Sequence, residues 1–173
     1  MSTTVSTLSE MLRRLEYGEG YGGYAQLFKS LRIPLSELES SLDCGNNHYK
    51  RKLLQRTGSY ELLLMCWQNE QTSPIHSYAG QQGWIYVAQG SLAIDYYLRR
   101  DSDDTMERYK TVEIGSGDYG YLNDYIGFHR IRHIGNQRAV SLHLHAGPVE
   151  EWEVFDPETG TYSHMAPGPH TDR

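Results

Sequence analysis

Four histidines, His76, His129, His143 and His145, sit in or beside short segments that read as β-strand. Histidine is the commonest protein ligand for transition metals, and the strands of a small barrel can aim several side chains into one cavity. Side chains at i and i+2 share a sheet face, so Ser141, His143 and His145 project together while Leu142 and Leu144 face away. His76 and Tyr78 share a face by the same rule. If both faces point inward and His129 joins from a neighbouring strand, one pocket collects imidazoles, a phenol and a hydroxyl. That set could hold a metal ion. The bland alternative is that each histidine is a hydrogen-bonded core or surface residue, and spacing alone does not separate the two. His133 shares the parity of His129 but lies about 13 Å further along an extended strand, too far for the same ion. His48, His164 and His170 are left outside the site.

These side chains need a scaffold, and the chain divides into two parts that could supply one. Over the first 45 residues the pattern is helical. Leu8, Met11, Leu12 and Leu15 recur at three- and four-residue spacing, Thr7 with Glu10 forms a capping-box pattern, and Gly18 is a stop. Tyr24, Leu27, Phe28 and Leu31 repeat the pattern before Pro34, and Leu35, Leu38 and Leu42 predict a third, shorter helix. From residue 47 onward, strand-like runs appear at 60–68, 84–89, 91–99, 108–114, 128–134, 139–145 and 151–155, with a short last strand near 161–164. Repeated short strands of this kind indicate a mainly β sandwich or barrel, with the helices packed outside. Gly90-Ser91 reads as a tight hairpin turn. The organisation is one domain over 1–173: a helical segment at 1–45, a β-barrel at 47–164 and a loose tail at 165–173.

Composition narrows the partners. The formal net charge is -6 with acids and bases interspersed, which argues against nucleic acid. No run approaches the roughly 18 consecutive apolar residues of a membrane span, and the N-terminus lacks the pattern of a secretory signal. The expectation is a cytoplasmic protein, a monomer or homodimer, that does not engage membranes. Cys44 and Cys66 have no CxxC spacing, and in a reducing compartment they are expected as two free thiols.

The order of the segments carries a resemblance. Ser73-Pro74-Ile75-His76-Ser77-Tyr78 followed by Gly83 through Gly90 resembles the first cupin motif, and Gly127-Phe128-His129-Arg130 resembles the end of the second. With Leu64-Met65-Cys66-Trp67, Tyr121-Leu122-Asn123-Asp124, Ser141-Leu142-His143-Leu144 and Phe155-Asp156-Pro157-Glu158-Thr159-Gly160, the chain is similar to the cysteine dioxygenase family over about residues 47–160. The resemblance implies a cupin double-stranded β-helix (a jelly-roll barrel) that binds non-haem Fe(II) through histidines and adds O2 to the thiol of a small amino acid. It places His76 and His129 on two of three metal ligands and Arg51 on the arginine that pairs with the substrate carboxylate. Tyr49 falls beside that carboxylate, and Ser141 and His143 support the site. A guanidinium suits that task because it forms a bidentate fork on a carboxylate. Taken alone, Arg51 would read as part of a solvated basic cluster with Lys50 and Lys52.

Three positions depart from the family pattern. Tyr78 stands where the third histidine ligand is expected, His145 replaces an active-site tyrosine, and Gly83 replaces a cysteine that crosslinks to that tyrosine. Tyr78 could ligate as a phenolate, remain a neutral phenol beside a two-histidine site, or yield its place to His143 or His145. An imidazole at 145 handles protons differently from a phenol. The implied function is a metal-dependent thiol oxygenase acting on L-cysteine or a related thiol carboxylate. Its product is a sulfinate, or a further oxidised or rearranged compound such as a sulfonamide, and another divalent metal such as nickel could replace iron. The alternative is a non-catalytic cupin that binds a metal or small molecule as a sensor or structural protein.

Overall fold

The computed structural model describes residues 4–166 apart from 19–20, 46, 69, 79, 101–102 and 126. The expected tail at Pro167–Pro169 and His170 lie outside the described residues. Helix α1 (Leu8–Glu16) begins where the Thr7 hydroxyl accepts the Glu10 N–H at 3.1 Å, and it ends at Gly18, whose φ of 67° is left-handed. Helix α2 spans Tyr21–Ser30. The third helix predicted from Leu35, Leu38 and Leu42 is replaced by two single 3₁₀ turns, Leu35–Glu37 and Glu39–Ser41. The segment is too short for a stable helix, and Ser36, Ser40 and Ser41 compete for backbone hydrogen bonds. One turn already buries Leu38 completely.

Eleven strands follow: β1 Lys50–Arg56, β2 Glu61–Trp67, β3 Ile75–Ser77, β4 Gln82–Gln89, β5 Ser91–Arg99, β6 Met106–Gly115, β7 Tyr119–Asn123, β8 Phe128–Ile134, β9 Ala139–His145, β10 Trp152–Asp156 and β11 Thr161–Met165. They form a five-stranded sheet in the order β1-β2-β9-β4-β7 and a six-stranded sheet in the order β11-β10-β3-β8-β5-β6. Within the ladders every neighbouring pair is antiparallel. Leu63, Met65, Trp67, Ile85, Val87, Leu92, Ile94, Leu122 and Ile131 fill the space between the sheets. Leu62, Leu64, Trp84, Tyr86, Leu142 and Leu144, on the other face of the five-stranded sheet, pack against Leu15, Tyr24, Leu27 and Phe28 of the helices. Both faces of β2 are therefore covered, which is why its sequence is a nearly unbroken apolar run.

Strands β1, β3 and β7 were not among the runs read from the sequence. Strand β1 is an edge strand rich in Lys and Arg, so its charges mask the alternation while guarding the edge against further pairing. The three residues of β3 are too few to show a period. In β7 the buried face is Gly120 and Leu122 against exposed Tyr119 and Tyr121, an inversion of the usual pattern.

Gly90 corrects a second expectation. It does not close a hairpin, because β4 pairs with β7 and β9 while β5 pairs with β6 and β8. The chain instead crosses between sheets at a φ of 76°, and a Cβ at Gly90 would stand 2.5 Å from the Arg138 carbonyl oxygen. Glycine is required there by the corner and by the close approach of β9.

The cysteines are a third correction. Cys44 and Cys66 are joined in a disulfide, with their Cα atoms 5.3 Å apart. Cys66 projects from β2 toward the helical layer, and the chain entering β1 carries Cys44 to it. Spacing along the chain could not reveal the pair, since the partners are 22 residues apart. The bond also removes the thiol argument for a reducing compartment. Among the described residues no helix is long and apolar enough to cross a membrane.

Alkylation of the denatured, unreduced protein should therefore label no cysteine, with two labels appearing after reduction. Closing a loop of this length restricts the unfolded chain, so Cys44→Ser should lower stability by about 3 kcal/mol in urea titrations. Two labels without reductant would show that the bond does not form.

Candidate functional site

A small cavity between the sheets, about 10 Å³ in volume, is lined by Tyr49, Arg51, His76, Tyr78, His143, His145 and Trp152 among others. Its centre is a register pairing. Strand β3 places His76 directly opposite His129 on β8, with the ring centroids 4.2 Å apart. His76 Nδ1–H donates to the Pro74 carbonyl oxygen at 2.8 Å, and His129 Nδ1–H donates to Asp124 Oδ1 at 2.8 Å. Asp124 Oδ2 also accepts the Tyr78 backbone N–H at 2.8 Å. With both Nδ1 atoms occupied, the lone pairs lie on His76 Nε2 and His129 Nε2, and both of these buried atoms lack a protein partner. Metal-binding imidazoles are held in this way, with one nitrogen bonded to an oxygen and the other bare. Burial and the neighbouring His129 push the His76 pKa well below the ordinary imidazole value, so it is neutral and keeps its lone pair.

The face-sharing expected from the sequence is present. Tyr78, one residue beyond β3, has its ring 4.8 Å from His76, 5.5 Å from His129 and 4.6 Å from His145. Burial holds its hydroxyl well above the ordinary phenol range, with Arg51 opposing, so it remains a phenol at neutral pH in the absence of a closer cation. On β9, the Ser141 hydroxyl oxygen accepts Trp67 Nε1–H at 3.0 Å and pairs with His143 Nε2 at 2.8 Å. Burial lowers the pKa of His143 well below that of a free imidazole, and lowers that of His145 against the opposing pull of Glu61.

Arg51 is not part of a solvated cluster. Strand alternation buries it while Lys50 and Lys52 are turned toward the less covered side, and its guanidinium carbon lies 5.8 Å from the Trp152 ring centroid. Tyr49 stacks on Trp67 at 4.4 Å. The cavity thus presents a cation and aromatic walls on one side and paired imidazoles on another. His133 bonds to the Gln137 carbonyl oxygen, His164 pairs with exposed Glu151, and His48 is exposed. All three stand apart from the site.

Three contributors went unrecognised in the sequence: Glu61, Asp124 and Trp152. Glu61 heads an apolar run in a fully buried strand, and a lone acid in that setting was a usable signal. Asp124 closes the Tyr121-Leu122-Asn123-Asp124 segment, five residues before His129. Trp152 stacks parallel to Tyr78 at 5.8 Å and edge-on to His76 at 4.7 Å, contacts between β10 and β3 that no local pattern announces.

Among the described residues no three His, Cys, Asp or Glu side chains converge on a metal position. The donor set nevertheless fits a transition metal at two points, His76 Nε2 and His129 Nε2. A further protein donor would come from the Tyr78 phenol or another imidazole.

A family profile described as cysteine dioxygenase type I matches residues 26–158. Cysteine dioxygenase type 1 from Bos taurus is 26% identical over 172 residues, covering 89% of this chain and 81% of that protein. The Homo sapiens protein of the same name is 31% identical over 116 residues, covering 65% of this chain and 58% of its own length. Among solved structures, TT1209 from Thermus thermophilus aligns with a TM-score of 0.53 at 12% identity, over 64% of this chain and 93% of that one. A Klebsiella pneumoniae protein with a double-stranded β-helix domain aligns with a TM-score of 0.50 at 12% identity, over 75% and 95%. These likenesses establish the cupin double-stranded β-helix fold.

Asp124 anchors two donors, and its removal provides a test of the geometry. Asp124→Ala should destabilise the fold by about 3 kcal/mol, since it leaves two buried N–H groups unpaired. It should also weaken Co(II) binding by about 10–100-fold through loss of the His129 orientation. Calorimetry would report both, and unchanged cobalt affinity would show that the His129–Asp124 contact does not prepare a metal ligand.

Proposed function

The chain belongs to the cysteine dioxygenase type I family, and we propose that it oxidises the sulfur of L-cysteine or a related small thiol carboxylate with O2. The observation that carries this reading is the pair of bare Nε2 atoms on His76 and His129, whose rings pack together, with His76 lining the same cavity as the buried Arg51. One side holds a carboxylate and the other would hold Fe(II), or another divalent metal such as nickel. When bound, that metal supplies the redox centre at which a thiol and O2 react.

The residues of the chain do the rest. Arg51 forms a two-pronged hydrogen bond with the substrate carboxylate, and the aromatic walls of Tyr49, Trp67 and Trp152 limit its poses and exclude water. Ser141 bonds both Trp67 and His143, which stiffens the wall facing the thiol. Tyr78, a neutral phenol, lines the cavity, and His145 is neutral and available as a proton acceptor. Both oxygen atoms of O2 end on sulfur in a sulfinate, so the thiol and O2 balance without another reductant. The substitutions at 78 and 145 lie where they would redirect this outcome, toward further oxidation or rearrangement to a product such as a sulfonamide.

Tyr78 also supports a second reading, a cupin that binds a metal or small thiol without turning it over, because the phenol stands where the family has a third histidine. Tyr78→His separates the two. Sulfinate formation restored in this variant would show that the rest of the site is competent for oxygenation, whereas continued inactivity would favour the binding role.

The direct test is mass spectrometry of L-cysteine incubated in air with iron-loaded protein. A gain of two oxygen atoms establishes dioxygenation, and a product of another mass establishes altered chemistry. With cysteine as substrate, Arg51→Met should raise KM by roughly 10–100-fold, the loss expected for a charge-assisted hydrogen bond of about 1.5–3 kcal/mol. An unchanged KM would rule out the carboxylate clamp.

A further inference from the structure

Glu61 has no part in the roles assigned above, yet it is 0% exposed at the head of β2. A carboxylate in that position persists only when it is paired and hydrogen-bonded. Register supplies its partners, since Arg56 on β1 and His145 on β9 are both directly opposite it. Arg56 Nη1 lies 3.6 Å from Glu61 Oε2 on the more exposed side, and His145 Nδ1 lies 3.5 Å from Oε1 on the cavity side. The His145 ring in turn faces Tyr78, with centroids 4.6 Å apart. Gly83 faces that ring: a Cβ there would touch His145 Cδ2 at 3.4 Å, an ordinary contact, and crowd the Leu144 carbonyl oxygen at 3.3 Å.

We propose that Arg56, Glu61, His145 and Tyr78 form a relay from the edge of the five-stranded sheet to the cavity. Glu61 is its positioning residue: its Oε1, 3.5 Å from His145 Nδ1, favours the imidazole proton on Nδ1, which leaves His145 Nε2 to accept from the Tyr78 hydroxyl. A carboxylate–imidazole–hydroxyl series of this kind orients a hydroxyl in unrelated enzymes. His143 cannot substitute, because its Nε2 is already engaged by Ser141. The relay deepens the oxygenase reading and rests on it for its catalytic purpose, but its geometry can be measured without turnover.

The measurement is ¹H–¹⁵N NMR of histidine-labelled full chain after chelator treatment, which reports the tautomer of each imidazole. His145 should carry its proton on Nδ1. Glu61→Gln, which keeps an acceptor, should preserve that tautomer, whereas Glu61→Leu should shift His145 toward Nε2–H. A wild-type His145 protonated on Nε2 would overturn the relay whatever the variants do, and so would a tautomer indifferent to Glu61→Leu. In cysteine turnover, Glu61→Leu should lower kcat by ~100-fold, in the range of acid–base assistance, while KM stays within about two-fold. Comparable kcat in the wild type and Glu61→Leu would overturn the catalytic purpose. The expected tautomers with no turnover in any form would leave the relay in place and count against the oxygenase reading instead.

Discussion

The antiparallel pairing of β3 with β8 sets His76 opposite His129, and one carboxylate, Asp124, then locks what the pairing brings together. One oxygen of Asp124 fixes the tautomer of His129, and the other holds the backbone of Tyr78. A one-residue slip of β3 would turn His76 and Tyr78 to the opposite face of the sheet, since side-chain direction alternates along a strand. Such a slip is opposed from several directions. Strand β10 pairs with β3 on its other side, and the Ser73 hydroxyl accepts the Ile131 N–H at 2.9 Å. The site is therefore a consequence of sheet register, and the flanking strands stabilise it as firmly as its own hydrogen bonds do.

The sequence revealed face-sharing well and adjacency poorly. The i, i+2 rule correctly grouped Ser141 with His143 and His145, and His76 with Tyr78, because parity is a local property of an extended chain. The helices were legible through their caps and apolar stripes, down to the Thr7 hydroxyl and Gly18. Which strand lies beside which is a non-local matter. Gly90 could not be told apart as a corner or a hairpin, because the turn looks alike whether the next strand folds back or crosses to the other sheet. Asp124, with His129 only five residues on and Tyr78 46 residues back, had a local partner that could have been read, whereas Trp152 escaped notice because its partner His76 is 76 residues away. The Cys44–Cys66 bond escaped for the same reason. Arg51 needed the family resemblance to be singled out, since two flanking lysines disguise a side chain that the strand turns inward.

The departures from the family pattern become coherent once their neighbours are known. His145 meets Glu61 in register on one side and Gly83 on the other. Glu61 Oε1 lies 3.5 Å from one edge of the imidazole, and a side chain at 83 would start in contact with the other. Tyr78 follows similar logic, with imidazoles on three sides and the parallel face of Trp152 on a fourth. Substitutions at 78, 83 and 145 thus form one rearranged packing unit.

Gly83 and His145 have one more consequence, which concerns what holds this wall of the cavity together. The family resemblance implies a cysteine and a tyrosine at these positions, a pair that a thioether can join. Gly83 and His145, paired in register, offer no thiol and no phenol for that bond. The wall they form is held by packing and register alone, so its shape depends on the fold around it and on no covalent tie between β4 and β9.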